Sequence, residues 1–234
     1  MYRLIEFRIL GAGAARYADE AREMVARILA RIPGAESAAK ALMYGQEQGV
    51  INCRFLSRKN GFAMLGLGPQ GQHTVTAAAQ LIAIELCRDL KVPVIIEDVK
   101  DGDVQIEPLP YKRRYEVRRL VHQKKPRHPQ EADAARLQTV IERSLRRQAL
   151  MLGLDVPQKL QIDVVSWQPS TPVPIAGKAY AASVKNVIFD ANASLCGWWG
   201  FGYLLSRGYG AMHAQAAAQL QRAEKWEARH EIVA

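Results

Sequence analysis

The stretch Gly197-Trp198-Trp199-Gly200-Phe201-Gly202-Tyr203-Leu204-Leu205-Ser206-Arg207-Gly208-Tyr209-Gly210 is the most specific in the chain. It carries the pattern G-x-G-x5-G-x-G on Gly200, Gly202, Gly208 and Gly210, interleaved with aromatic residues and one arginine. Glycine has no Cβ, so such a backbone can approach phosphates closely, and the flanking rings, Trp198 and Trp199 among them, can stack on bases. The same residues also suit a tight corner between two strands with the aromatics packed beneath it. Spacing alone leaves both readings open.

Upstream of the glycines, residues 160–167, 178–184 and 186–193 read as three strands. Downstream, His213 falls on a presumed last strand, and residues 215–232 form an amphipathic helix with Leu220 and Trp226 inward.

Further upstream lies the charge. The chain of 234 residues has a net charge of +9. Between Lys112 and Arg147 stand twelve basic residues, namely Lys112, Arg113, Arg114, Arg118, Arg119, Lys124, Lys125, Arg127, Arg136, Arg143, Arg146 and Arg147. Only four acids share that segment, which leaves the rest of the chain almost neutral. Charge so concentrated fits a polyanion, because phosphate contacts and counterion release reward it. Within the segment, Leu137, Ile141 and Leu145 form an apolar row at helical spacing, and Arg136, Arg143 and Arg147 form a stripe beside it. Residues 110–125 fit a strand or a helix, and Pro126 and Pro129 turn the chain. A hairpin-like basic finger over residues 110–157 is expected.

In residues 1–109, Ile5, Phe7 and Ile9 alternate with Leu4, Glu6 and Arg8, the pattern of a strand with one solvated face. A helix follows with Ala21, Met24, Val25, Ile28 and Leu29 on one side, and Pro33-Gly34 ends it. Two strands flank Asn60-Gly61, a strong hairpin signal. A helix over 74–90 and strands over 92–97 and 103–107, around a turn at Lys100-Asp101-Gly102, complete the order βαββαβ, a ferredoxin-like arrangement. Gly66-x-Gly68-x-x-Gly71 has the spacing of a dinucleotide fingerprint, but it follows a hairpin and its Pro69 has no N–H to offer a phosphate, so turn glycines are the better reading.

A hydrophobic content of 49% suffices for real cores. Residues 1–8 mix charges into apolar positions, and no apolar run reaches the length of a membrane span, so a soluble, cytoplasmic protein is expected. Cys53, Cys87 and Cys196 are odd in number and far apart, which suits a reducing compartment and gives no zinc motif.

The glycine-rich stretch, set before the last strand of a second, degenerate ferredoxin-like half over residues 158–234, resembles that of the RAMP superfamily of CRISPR-associated proteins. Gly200, Gly202, Gly208 and Gly210 match its spacing. Within the superfamily the chain is most similar to the endoribonucleases that cut CRISPR repeat RNA into guide RNAs, and the basic helical insertion suggests the type IV version. The expected fold is α+β, with two ferredoxin-like (RRM-like) halves and a basic α-helical finger between them. The resemblance implies attack of a ribose 2′-hydroxyl on its own 3′-phosphate, with no metal or other cofactor, and retention of the product stem-loop in an effector complex with other CRISPR subunits. It also implies a monomer when free of that complex.

Such chemistry needs in-line geometry, a proton acceptor and cations for the transition state. Many relatives use a histidine on or near the first helix. Here the first histidine is His73, and the first helix instead offers Arg16, Tyr17, Arg22 and Arg27, with Lys40 beyond. Arginine stays protonated, so it can hold the scissile phosphate but cannot act as base. The expected catalytic group is therefore Arg22 with Arg16 or Arg27, while Tyr17 or Lys40 orients or deprotonates the 2′-hydroxyl. The competing reading is a non-catalytic RNA-binding subunit of a CRISPR effector complex.

Overall fold

The computed structural model describes residues 1–11, 17–44, 52–124, 131–175 and 180–214. It is a mixed α+β protein with two antiparallel sheets. The first part runs β1 (Tyr2–Ile9), α1 (Ala18–Leu29), α2 (Glu36–Tyr44), β2 (Cys53–Arg58), β3 (Gly61–Leu67), α3 (Gly68–Leu90) and β4 (Val94–Gly102), with strand order β2-β3-β1-β4. A two-residue turn closes the β2–β3 hairpin with Arg58 opposite Gly61. A Cβ at Gly61 would lie 2.0 Å from the Phe7 carbonyl oxygen, so only glycine lets β1 approach here.

The helix stripe Ala21, Met24, Val25, Ile28 and Leu29 is buried on one face of this sheet with Ile5, Phe7, Phe55, Phe62 and Met64. α3 starts at Gly68, six residues before the expected Thr74, because the glycines at the β3–α3 junction let the helix fold back on its own strand. A Cβ at Gly66 would meet the Gly71 oxygen at 2.2 Å. The expected turn at Lys100-Asp101-Gly102 is instead the end of β4, which pairs with β1 through Arg3–Asp101 and Tyr2–Gly102.

The second part runs β5 (Gln105–Lys124), α4 (Ala134–Leu152), β6 (Ile162–Pro169), β7 (Val173–Pro174), β8 (Tyr180–Gly200), a short 3-10 turn (Leu205–Arg207) and β9 (Ala211–Ala214). The sheet order is β5-β8-β6, and β7 and β9 also pair with β8. Two expectations are corrected here. Residues 110–124 do not stand out as a finger: they form most of a 20-residue strand lying antiparallel along β8, and α4 packs on that sheet. The reason is period-two burial. Tyr115 and Val117 face the core opposite Phe189 and Val187, while Arg114 and Glu116 face away opposite Asp190 and Ile188. Residues 180–193, expected as parts of two strands, lie in the single 21-residue strand Tyr180–Gly200, in which Asn186 takes a left-handed φ of 49° without ending it.

Leu137, Ile141 and Leu145 of α4 are fully buried, as their row predicts. Leu4, Leu56, Leu65 and Leu67, on the back of the first sheet, share one core with Leu137, Ile141, Phe189, Trp199 and Phe201 of the second part. The first sheet is therefore covered on both faces. No helix among the described residues is long and apolar enough to cross a membrane. Arg16, Lys125, Arg127 and the helix expected over 215–232 lie outside the described residues.

Candidate functional site

The glycine-rich stretch is a strand-to-strand corner. Trp199 and Phe201 are fully buried, so the Trp199 ring is not available to a base, and its Nε1 donates to the Cys196 oxygen at 3.0 Å. The backbone N–H groups are used inside the protein: Gly202 donates to Ser144 Oγ at 2.9 Å, Tyr203 to the Val121 oxygen at 2.9 Å and Gly210 to the Arg119 oxygen at 2.6 Å. Of the two readings that the spacing left open, these bonds favour the corner. Their role is close packing. At Gly202 (φ 80°) a Cβ would fall 2.3 Å from the Val121 oxygen, and at Gly208 (φ 82°) 2.5 Å from Ala18 Cβ.

That last contact seats the corner on α1 and brings Arg207 to Asp19. Arg207 Nη1 lies 3.3 Å from Asp19 Oδ2 and donates to the Pro174 oxygen at 3.2 Å. Arg22, three residues beyond Asp19 and thus beside it on the helix, donates from Nη2 to the Met43 oxygen at 3.1 Å and sits 5.6 Å from the centre of the Tyr44 ring. Asp19 Oδ1 and Arg22 Nε are buried without a hydrogen-bond partner. Burial, then the nearby Arg207 charge, lowers the Arg22 pKa. Burial raises the Asp19 pKa against the pull of Arg207. The result is two cations and a carboxylate at one largely buried spot, with unused bonding capacity.

Other expected catalytic residues lie apart from this cluster. Arg27 is exposed and, at about 100° per residue, roughly 140° around α1 from Arg22. Tyr17 is exposed at the start of α1, and Lys40 is exposed on α2. In the sequence Arg207 stands out only as the one arginine of the glycine-rich stretch and Asp19 not at all, although its spacing to Arg22 is a signal.

On the other side of the same corner, Leu204 and Leu205 line a cleft of about 420 Å³ shared with α4. Lys124, Arg143 and Arg147 supply its cations, together with Arg54. Arg54, on β2, is only 1% exposed. Its Nη2 donates to Gln148 Oε1 at 2.6 Å, and Gln148 Nε2 donates to the Trp198 oxygen at 2.7 Å. Arg54 Nε and Nη1 have no hydrogen-bond partner. Burial pushes its pKa down to about 9, which still leaves it charged at neutral pH.

The remaining basic residues divide. Lys112 pairs with Asp163, Arg114 forks onto Asp190 at 2.9 and 3.1 Å, and Arg146 meets Glu142 at 2.8 Å. Arg113 lies 5.5 Å from the Tyr115 ring centre and Arg119 5.1 Å from that of Tyr209, while Arg118 is exposed and Arg136 half-buried. His122, in the same segment, is buried, and its pKa is lowered by burial and then by the Arg136 charge. His213 packs edge-on against Trp198 at 5.0 Å and Tyr2 at 6.5 Å, away from α1.

With fold and clusters in view, residues 10–217 match the model of the family described as type IV CRISPR-associated endonuclease Csf5. The chain belongs to that family. Among solved structures, the Csf5 family is again met in "Csf5, CRISPR-Cas type IV Cas6 crRNA endonuclease", with 20% identity over 92% of this chain and 99% of that one, at a TM-score of 0.65. A crystal structure of Cas6b is also similar, with 14% identity over 91% of this chain and 98% of that one, at a TM-score of 0.58. At these identities the likeness speaks for the fold. No curated protein matches. The family match, covering both arginine clusters and the corner between them, makes this Csf5-family member a type IV CRISPR-associated endonuclease.

Proposed function

We propose that the chain cuts CRISPR repeat RNA to guide RNA by attack of a 2′-hydroxyl on the adjacent 3′-phosphate, leaving a 2′,3′-cyclic phosphate and a 5′-hydroxyl, without a metal. On this reading its two parts are ferredoxin-like halves, the second degenerate, and the product stem-loop stays bound within an effector complex. The observation that carries the proposal is the convergence of Arg22, Arg207 and Asp19 between α1 and the glycine-rich corner.

Two guanidinium groups at one spot can hold a scissile phosphate and offset the charge that builds in its transition state. Arg22 has a bonding direction to spare, and Arg207 is held in place by Asp19. The Asp19 carboxylate is the proton acceptor for the 2′-hydroxyl, since a carboxyl pushed above its ordinary range is better matched to that task than a free one. The 5′-leaving oxygen takes its proton from solvent.

The test is incubation with the cognate repeat RNA in excess EDTA, with analysis of the product ends. Cutting at one position with a cyclic phosphate end is expected. Arg22→Ala and Arg207→Ala should each lower the rate by at least ~100-fold with binding retained, and full cutting by both would sink the assignment. The second reading, an RNA-binding subunit that does not cut, is favoured by His213 packing on Trp198 and by the burial of His122. It predicts tight binding and intact RNA.

A further inference from the structure

The cleft on the far side of the corner holds a charged group that the cutting site does not use. A guanidinium sealed from solvent ordinarily has all its N–H groups satisfied, because each unmet donor costs free energy. Arg54 leaves Nε and Nη1 unmet while lining the cleft. The fold also makes room for it there: a Cβ on Gly200 would stand 2.3 Å from Arg54 Nη1, so glycine at this position allows the guanidinium to lie on the backbone of the corner. Arg143 and Arg147 come from α4 and Lys124 from the end of β5, three further cations on the same cleft. Its remaining wall is apolar and aromatic, with Val140, Met151, Leu205 and the exposed ring of Tyr203. A deep cation with unmet donors, outer cations and an apolar wall with one ring together match a phosphate joined to a base. The volume of about 420 Å³ is within the range of sites for a molecule of that size.

We propose that this cleft takes one unpaired nucleotide of the bound RNA, its phosphate on Arg54 and its base against Tyr203. The proposal rests on the RNA reading above and extends it. Because Leu204 and Leu205 line the cleft while Arg207 reaches Asp19, one short turn separates the nucleotide from the cutting cluster. A nucleotide anchored there fixes which linkage lies on Arg22 and Arg207.

The experiment uses the full chain and repeat RNA blocked against cutting by a 2′-deoxy residue at the scissile position. Single neutral methylphosphonates are walked along the strand, and affinity is measured by fluorescence anisotropy at one salt concentration. In the wild type, neutralising the linkage seated on Arg54 should weaken binding roughly 10- to 100-fold. In Arg54→Met the same change at that linkage should cost nothing, with the other linkages behaving as before. Arg54→Lys, which keeps charge but not the fork, should give an intermediate coupling and serves if the methionine variant does not fold. RNA that binds normally but shows no linkage whose cost depends on residue 54 overturns this proposal and leaves the cutting site standing. Failure of wild-type protein to bind repeat RNA overturns both.

Discussion

Trp198 and Trp199 are neighbours with opposite surroundings, one half-open beside His213 and the other sealed in the shared core. Trp199→Ala should therefore cost about 3–5 kcal/mol of stability in urea unfolding, and any loss of RNA binding should track unfolding. Asp19 makes a separate prediction. Its carboxylate must be ionised to accept a proton, so the cutting rate should rise with pH through a pKa above the ordinary carboxylate value. Asp19→Asn should lower the rate about 10²- to 10⁴-fold and flatten that limb of the profile. Stability moves the other way: with the folded-state pKa raised, the contribution of Asp19 is fully present at low pH and is lost as pH rises through the carboxylate range. A rate profile unchanged in Asp19→Asn would return the role of base to Tyr17 or Lys40. Arg22 could be nominated from the sequence because it stands on a readable helix. Arg54 could not, since in Cys53-Arg54-Phe55-Leu56 it looks like an ordinary strand residue, and its burial depends on α4 and the corner more than ninety residues away.

At the scale of elements, β8 carries the second sheet, and its weak point is Asn186 at φ 49°. Asparagine tolerates that conformation and a β-branched residue does not, so Asn186→Val should cost about 1–2 kcal/mol while Asn186→Gly should be nearly neutral, as read by thermal unfolding. The same residue explains a misreading. Lys185-Asn186 looks like a local turn, yet β5 keeps one register on β8 across it, and Pro108 and Pro110 look like strand breakers, yet the pairing absorbs them in a register shift between Pro108 and Arg113. Local pattern shows β1, the β2–β3 hairpin and the apolar stripes of α1 and α4 because their partners are near or their period is strong. A pairing that joins residues about seventy apart leaves no such mark. The approach of Arg207 to the Arg22 end of α1 leaves no mark for the same reason: Arg207 and its partner Asp19 are 188 residues apart.

For the molecule as a whole, the positive charge is not one uniform patch, and salt can sort it. Arg143 and Arg147 line the cleft, whereas Arg114 is forked onto Asp190. Each phosphate contact adds close to one unit to the slope of log affinity against log salt. Arg143→Ala and Arg147→Ala should each flatten the slope for repeat RNA by about 1, and Arg114→Ala should leave it nearly unchanged. Equal effects at all three would mean that the RNA spreads over the outer face of the second sheet. The shared core, finally, bears on how the protein is made. Leu4, Leu56, Leu65 and Leu67 leave the ribosome long before Phe189, Trp199 and Phe201, which cover them. At roughly 5–20 residues per second, the nascent chain carries a bare, sticky sheet for on the order of ten seconds. A message broken after β4 would leave that surface permanently uncovered, so the cell's supply of chaperones during translation bears on how much folded endonuclease it obtains from each transcript.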